Sequence, residues 1–150
     1  MCPDPRPATL ADRQAIEDIV RQAYSPYIAR IGRPPGPMLD DYEALISDGR
    51  VFVIEGEGVI QGLIVLIPEK DAMLLENVAV APEFKGQGIG RSLLEYAERS
   101  ARAAGYRAVR LYTHEKMTEN IALYTRIGYV ETHRAEEIGL KRVFMTKQLS

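Results

Sequence analysis

The sequence predicts an α/β fold in which helices cover the faces of one mixed sheet. The chain has 150 residues, of which 46% are hydrophobic and 27% charged, so residues 1–150 can bury the core of a single domain. Residues 51–67 hold two β-branched runs around a glycine-containing turn, the pattern of an antiparallel hairpin. Residues 72–147 then alternate strand-like and helix-like segments in the order β-α-β-α-β, with one further closing strand.

The N-terminal part of the chain predicts two helices joined by a structured loop. Thr9 and Asp12 form the pattern of a helix N-cap, and apolar residues then recur at helical spacing, so we expect a helix that begins near residue 10. Residues 24–38 are rich in proline and glycine, which regular elements do not tolerate, but they also carry aromatic and aliphatic side chains. These features predict a structured loop, followed by a helix at about residues 40–47.

Hydrophobic periodicity predicts the remaining elements. Apolar side chains of residues 89–104 share one face, so this segment is expected to form an amphipathic helix that packs on the sheet and ends near Gly105. The predicted strands lie at residues 51–54, 59–67, 72–80, 107–113, 129–133 and 142–147, and a further helix lies at residues 118–128.

Composition and charge exclude several classes of protein. The 19 basic and 21 acidic residues nearly balance, so we expect no nucleic-acid partner. Cys2 is the only cysteine, and we expect no disulfide, no metal site and no catalytic thiol. The N-terminus lacks the apolar core of a secretory signal, and the longest purely apolar run, residues 63–67, is too short to cross a bilayer. We therefore expect a cytoplasmic protein with no membrane partner.

A glycine-rich turn follows the predicted strand that ends near Val80. Gly86, Gly88 and Gly90 allow the backbone to adopt positive φ and to approach a ligand closely. The turn leads directly into a helix, whose unpaired N–H groups and dipole favour a bound anion, and we expect this anion to be a pyrophosphate. Position 91 is arginine, so the dinucleotide-binding G-x-G-x-x-G pattern is absent, and no P-loop pattern is present.

Two segments resemble the motifs of the GCN5-related N-acetyltransferases, the GNAT family. Residues 85–90, Lys-Gly-Gln-Gly-Ile-Gly, are similar to the family's acetyl-CoA loop. Residues 122–129, Ala-Leu-Tyr-Thr-Arg-Ile-Gly-Tyr, are similar to a second family motif at the expected distance. The resemblance implies a mostly antiparallel central sheet with splayed strands, the acyl-CoA N-acyltransferase fold. It also implies acetyl-CoA as co-substrate, no metal, and a homodimer.

The resemblance assigns a set of residues to acetyl-CoA. These are Val78, Ala79, Val80, Lys85, Gly86, Gln87, Gly88, Ile89, Gly90, Arg91, Asn120 and Tyr124. One position departs from the family pattern, because Met117 stands where many members have an asparagine that contacts the cofactor. Asn120 lies nearby but out of register. Either it replaces that asparagine, or CoA affinity depends more on the loop amides.

Three side chains are candidates for acid–base catalysis. Tyr124 matches the family tyrosine that protonates the CoA sulfur, although it could also be an aromatic that packs between helix and sheet. Strand alternation predicts that Glu76 and Val78 share one face and that Asn77 points the other way. Glu76 is then a candidate general base or a structural carboxylate. His114 is a second candidate base, or a solvated residue at a strand end.

The first helices and their connection cover the acceptor side in the resembled family. Tyr27, Asp41, Tyr42 and Glu76 would suit a cationic amine, although the first three would equally serve as an ordinary loop surface. The leading hypothesis is acetyl transfer to a small amine, an amino acid derivative or a peptide N-terminus by direct attack in a ternary complex. The alternative is a CoA-binding sensor or partner-binding module without catalysis.

Overall fold

The computed structural model describes residues 4–137 and 139–149, and Cys2 lies outside them. Within these residues the chain forms a seven-stranded sheet in the order β1-β2-β3-β4-β5-β7-β6. The strands are β1 (Arg6–Pro7), β2 (Val51–Gly56), β3 (Val59–Pro68), β4 (Met73–Val80), β5 (Ala108–His114), β6 (Val130–Glu137) and β7 (Leu140–Gln148). The α-helices are α1 (Arg13–Ile31), α2 (Tyr42–Ser47), α3 (Ile89–Ala103) and α4 (Thr118–Arg126). These elements confirm the predicted mixed α/β fold.

The central strands β4 and β5 form the only parallel pair among the described strands, and they are joined over a short stretch. Met73–Leu75 pairs with Val109–Leu111, after which the two strands separate. All other neighbouring strands are antiparallel. The splay expected from the family resemblance is therefore present, and it opens a gap between the carboxyl ends of β4 and β5.

A hydrophobic core lies on each face of the sheet. On one face, α3 and α4 pack through Leu93, Ala97 and Tyr124 against the central strands. On the other face, α1 and α2 contribute Ile16, Val20, Tyr24, Tyr42 and Ile46 to a second cluster. The helical spacing of these residues is what allows each helix to bury one apolar stripe.

Helix α1 is longer than predicted, and the expectation of a loop that starts at residue 24 is wrong. The helix continues to Ile31 and includes Pro26, and it ends at Gly32 in the left-handed conformation with φ 93°. Pro26 removes one backbone hydrogen bond. The loss is offset because Val20, Tyr24 and Tyr27 follow helical spacing and pack on the second cluster.

Two further differences lie near the N-terminus. Asp12 accepts a hydrogen bond from the Thr9 N–H at 2.8 Å, but it caps a short 3₁₀ turn, and α1 begins only at Arg13. The two-residue strand β1 pairs with β2 and was not predicted, because two residues carry no periodic signal. Among the described helices, none has the length and apolar composition needed to span a membrane.

Candidate active site

The gap between β4 and β5 opens into two connected spaces. A cleft of about 400 Å³ extends towards the glycine loop and the start of α3. A narrower pocket of about 50 Å³ extends towards the ends of β5 and β7. Tyr24, Val78, Asn120 and Tyr124 line both spaces. A molecule bound in the cleft therefore meets a molecule bound in the pocket at these four residues.

The edge of β4 that faces the gap presents backbone groups to an extended ligand. The Ala81 N–H donates to the Gln61 carbonyl at 2.9 Å, so the backbone groups of Ala79 and Ala81 point towards β3. By alternation, those of Val78 and Val80 point into the gap. The Val78 carbonyl lies 3.0 Å from the Tyr24 hydroxyl, as this geometry requires, and that hydroxyl shares its one hydrogen between this oxygen and Asn77 Oδ1. An extended ligand can add to this edge as a further strand.

The glycine loop is shaped to hold an anion at the far end of the cleft. Gly86 and Gly88 have φ of 82° and 84°, in the left-handed region that other residues rarely adopt. Helix α3 begins at Ile89, and the N–H groups of its first turn have no partner within the helix. The loop backbone and the helix dipole therefore create a site for phosphate groups.

The structure brings the predicted cofactor residues together along the cleft, except for Gln87, which is not part of its lining. The Arg91 side chain is 85% exposed and pairs with Glu95 at 3.2 Å, so it lies at the rim. Asn120 lies where the cleft and the pocket meet, whereas Met117 is buried and accepts a hydrogen bond from Thr113 at its sulfur. Asn120 is thus the asparagine that faces the cleft.

Tyr124 lies on α4 at the junction of the two spaces. Its side chain is buried, and its ring packs edge-on against Tyr129 with centroids 5.8 Å apart. Burial raises the pKa of Tyr124 above its usual range, so the phenol stays protonated at neutral pH. Tyr124 therefore has the position and the protonation state of a hydrogen-bond donor or general acid.

Glu76 lies in a β-bulge, and the predicted strand alternation is wrong at this position. Val65 pairs with Asn77 and Leu66 pairs with Leu75, so Glu76 is the extra residue in β4. Leu75 and Val78 both contact the α3 face of the sheet, whereas Asn77 bonds to side chains of α1 and α2. The bulge therefore places Glu76 away from Val78, on the side of Asn77, although both line the pocket.

The Glu76 carboxylate is held by residues of the neighbouring strands. Tyr112 donates a hydrogen bond to its Oε1 at 2.7 Å. Burial raises the pKa of Glu76, while the Tyr112 hydrogen bond and the charge of Arg142 oppose the rise. Asp40 lies near Glu76, and its pKa is raised to about 6 by burial and by the Glu76 charge. Glu76 lines the pocket and Asp40 borders a neighbouring cavity with it, so two carboxyl groups with raised pKa values lie close together here.

A buried hydrogen-bond network fixes the bulge. Tyr24 donates to Asn77 Oδ1 at 2.5 Å, and Asn77 Nδ2 donates to the Tyr42 hydroxyl at 2.9 Å. The Tyr42 hydroxyl donates in turn to the Pro37 carbonyl at 2.6 Å. The network ties β4 to α1, to α2 and to the segment before α2, so it positions both the bulge and one wall of the pocket.

The predicted acceptor residues occupy four different places. Glu76 lines the narrow pocket, and Tyr27 lines the cofactor cleft instead. Tyr42 is buried in the α1–α2 core. Asp41 caps α2 by accepting the Ala44 N–H at 3.1 Å, and with Glu76 it borders a separate cavity of about 240 Å³.

His114 lies at the end of β5 and lines the pocket. The Lys116 backbone N–H donates to its Nδ1 at 3.1 Å, so Nδ1 is the unprotonated nitrogen and Nε2 carries the hydrogen. Burial lowers the pKa of His114, which keeps the ring neutral. The lone pair of Nδ1 already accepts the Lys116 N–H, so this nitrogen is a poor base. The Nε2–H group can instead donate a hydrogen bond to a molecule in the pocket.

Three residues of the site were not predicted from the sequence: Asn77, Tyr112 and Arg142. Asn77 carried a signal, since it is a polar residue in an apolar strand, and such a residue needs a buried partner. The other two are polar or amphipathic residues in ordinary positions. Their roles depend on the splay of β4 from β5 and on the bulge at Glu76, which the sequence pattern does not contain.

Comparisons with known proteins agree with this geometry. A family model described as an acetyltransferase (GNAT) domain matches residues 47–131. The uncharacterized N-acetyltransferase YjgM of Escherichia coli K12 is 29% identical over 133 residues, which cover 83% of this chain and 80% of that protein. Some other curated relatives are longer, and the matched part covers 19% to 48% of their length.

Solved structures share the same fold. The ribosomal-protein-S18-alanine N-acetyltransferase of Escherichia coli has a TM-score of 0.76 and 20% identity, with 97% of this chain and 93% of that chain covered. The PaiA N-acetyltransferase of Thermoplasma acidophilum, solved in complex with coenzyme A, has a TM-score of 0.74 and 19% identity. Its comparison covers 97% of this chain and 98% of that chain.

Proposed function

Because the chain belongs to the GNAT acetyltransferase family, we propose that it transfers the acetyl group of acetyl-CoA to a primary amine in a ternary complex. The observation that carries this proposal is the junction of the cleft and the pocket. Val78, Asn120 and Tyr124 line both spaces, so a thioester in the cleft would face an amine in the pocket. The structural relative that was solved with coenzyme A supports the choice of cofactor.

The cofactor would lie along the open edge of β4. Its pyrophosphate would occupy the glycine loop at the start of α3, and its pantetheine arm would bond to the backbone groups of Val78 and Val80. This arrangement would place the thioester beside Tyr124. Backbone N–H groups at this edge are donors that can stabilise the oxyanion formed when the amine attacks the carbonyl carbon.

The proton balance of the reaction needs one base and one acid. The amine nitrogen forms a bond to the acetyl carbon, and its proton passes to the Glu76 carboxylate, directly or through a water molecule. The carbon–sulfur bond breaks, and the departing thiolate takes a proton from the Tyr124 hydroxyl. The raised pKa of Glu76 brings this carboxylate closer to the pKa of an amine than an exposed one would be.

Thiol release from acetyl-CoA tests the proposal. We would assay a Cys2→Ser protein, which removes background thiol, against amino acids, polyamines, aminoglycosides and peptides with free N-termini. We expect saturable thiol release with one class of acceptor and an acetylated product in equal amount. Binding of acetyl-CoA without turnover across the panel would contradict catalysis of small-amine transfer and would favour a CoA-binding module.

A further inference from the structure

We propose that Arg142 binds a carboxylate of the acceptor, so that the substrate is a small amino acid rather than a simple amine or a peptide N-terminus. The inference rests on the proposed function, because it names the substrate of the same pocket. Arg142 lies near the start of β7 and lines the pocket on the side opposite β4. Among the lining residues that the structure describes, its guanidinium is the only cationic group when His114 is neutral.

The Arg142 guanidinium is held in place by its neighbours, but most of its N–H donors are not used by hydrogen bonds among the described residues. It stacks over the Tyr112 ring, 4.3 Å from the ring centroid, and its side chain is 14% exposed. Within the described residues, its ion pair with the exposed Glu137 is long, at 3.5 Å. A guanidinium has five N–H donors, and a stacked ring and one long contact leave most of them available to a ligand.

The charges in the pocket are arranged for a zwitterion. Glu76 lies on β4, with Asp40 nearby, and Arg142 lies on β7. Tyr112 contacts both sides, since its hydroxyl bonds to Glu76 and its ring supports Arg142. An amino acid would place its amine towards Glu76 and the thioester and its carboxylate towards Arg142. Partial burial strengthens such a pairing, because an arginine–carboxylate contact with two parallel hydrogen bonds is strong where water is excluded.

The shape of the pocket also favours a compact acceptor. Its volume of about 50 Å³ is far smaller than that of the cofactor cleft. The turn at Pro35–Pro37 forms one wall, and Arg142 Nη2 lies 3.5 Å from the position that a Cβ on Gly36 would occupy. The guanidinium is therefore held against a proline-rich wall beside the reaction site. A peptide N-terminus has no carboxylate at the α-carbon and would offer this cation no ligand oxygen of opposite charge.

Matched pairs of acceptors test the inference. We would measure kcat/KM for the standard amino acids and for the same amino acids as neutral amides. The ammonium of the amide is more acidic, so at neutral pH its free amine is more abundant, which favours the amide in the absence of carboxylate recognition. We expect the acids to be preferred by roughly 10- to 100-fold, the range of one charge-assisted contact.

Variants on one β-hairpin separate recognition from structure. Arg142→Gln should lower kcat/KM for the acid by roughly 10- to 100-fold, should lower kcat/KM for the amide far less, and should leave the Kd for acetyl-CoA unchanged. Because the Arg142 charge also lowers the pKa of Glu76, the two acceptors are compared on the high-pH plateau of activity. Arg142→Lys keeps the charge but loses the planar fork, so we expect an intermediate loss. Arg134→Gln is the matched control, since Arg134 lies on β6, outside the pocket, and pairs with Glu131. It should leave the ratio of acid to amide unchanged.

Three outcomes would overturn the inference. The first is turnover of amides or peptides at least as fast as that of the acids, which leaves the proposed function intact. The second is an Arg142→Gln variant that loses acid and amide activity equally while it still binds acetyl-CoA, because that result assigns Arg142 a structural role. The third is silence with every amine, which removes the proposed function and this inference together.

Discussion

Tyr124 is the residue at which the cofactor and the acceptor of the proposed reaction would meet. It lines the cleft and the pocket, and its buried phenol keeps its proton at neutral pH. A protonated phenol beside a departing thiolate is a general acid. Its neighbour Tyr129 packs against it but lines neither space, and among the described residues the Tyr129 hydroxyl has no hydrogen-bond partner. The two tyrosines share an environment and differ in access to the site.

This pair provides a matched test of the acid. Tyr124→Phe should lower kcat by roughly 100-fold, at the lower end of the range for general acid–base catalysis, and should leave the Kd for acetyl-CoA nearly unchanged. Tyr129→Phe removes a hydroxyl of the same kind and should leave kcat unchanged. Steady-state kinetics and calorimetric binding measure both effects. Equal kcat values for the two variants would remove Tyr124 from the proton transfer.

The pH dependence of the reaction tests the role of Glu76. Activity should fall as the pH drops through the pKa of Glu76, because the protonated carboxyl cannot accept a proton. The Tyr112 hydroxyl bonds to the charged form and lowers this pKa. Tyr112→Phe should therefore raise the pKa of Glu76 and move the acidic limb of kcat/KM to higher pH, while the plateau at high pH is retained.

Three further variants identify the group whose titration produces the acidic limb of the pH profile. Tyr96→Phe removes a hydroxyl on α3, outside the pocket lining, and should leave the profile unchanged. Asp40 has a pKa of about 6 and is the competing source of the limb. If the acidic limb of the kcat/KM profile disappears in Asp40→Asn but is still present in Glu76→Gln, the base is Asp40 and not Glu76.

At the scale of elements, the strand, turn and helix of residues 73–103 could be predicted almost completely from the sequence. Glycines at fixed spacing, a β-branched strand before them and an amphipathic helix after them are local signals, and each element agrees with its neighbours. Helix α1 was less predictable, because Pro26 is a local signal against helix that burial of Tyr24 and Tyr27 overrides. Local propensity fails where tertiary contacts determine the element.

The glycine loop makes a prediction at this scale. Gly86 and Gly105 have nearly equal φ, 82° and 88°, and a Cβ on either would meet no atom within 4 Å. Alanine at either position should cost about 1 to 2 kcal/mol of stability, because both require the left-handed conformation. Gly86→Ala should also raise the Kd for acetyl-CoA by roughly 10-fold, since it disturbs the amides that bind phosphate, whereas Gly105→Ala should not.

Denaturant unfolding and calorimetry separate the two effects of these substitutions. Gly105 lies just after α3, at the opposite end of the helix from the loop. The Gly105→Ala variant therefore measures only the loss of stability caused by alanine in the left-handed conformation. If both variants weaken acetyl-CoA binding equally, the affinity reflects global stability and not the conformation of the loop.

At the scale of the whole molecule, the narrow pocket is harder to predict than the cleft. Most of the phosphate-binding part of the cleft comes from one continuous segment, so its residues are neighbours in sequence. The pocket is assembled from β4, β5, β7, α1, α4 and the turn before α2. Asp40 and Arg142 lie near Glu76 because of two features of β4. One is the one-residue bulge at Glu76, and the other is the short parallel pairing with β5, after which the two strands separate. A period-2 pattern does not reveal either feature.

This assembly also predicts the kinetic mechanism. The cleft and the pocket meet at Tyr24, Val78, Asn120 and Tyr124, so an amine can reach the thioester directly and needs no acetylated enzyme as carrier. Initial rates at several fixed concentrations of acetyl-CoA should give double-reciprocal lines that intersect. Enzyme mixed with acetyl-CoA alone should show no covalent acetyl group by intact-protein mass spectrometry.

Parallel lines together with a transferable acetyl adduct would contradict direct attack. Cys2 is the only thiol in the chain, so Cys2→Ser determines whether such an adduct belongs to the reaction. An adduct that disappears in Cys2→Ser while turnover persists is a side reaction of the Cys2 thiol. An adduct whose loss abolishes turnover would make Cys2 a nucleophile and replace the ternary complex by a two-step mechanism.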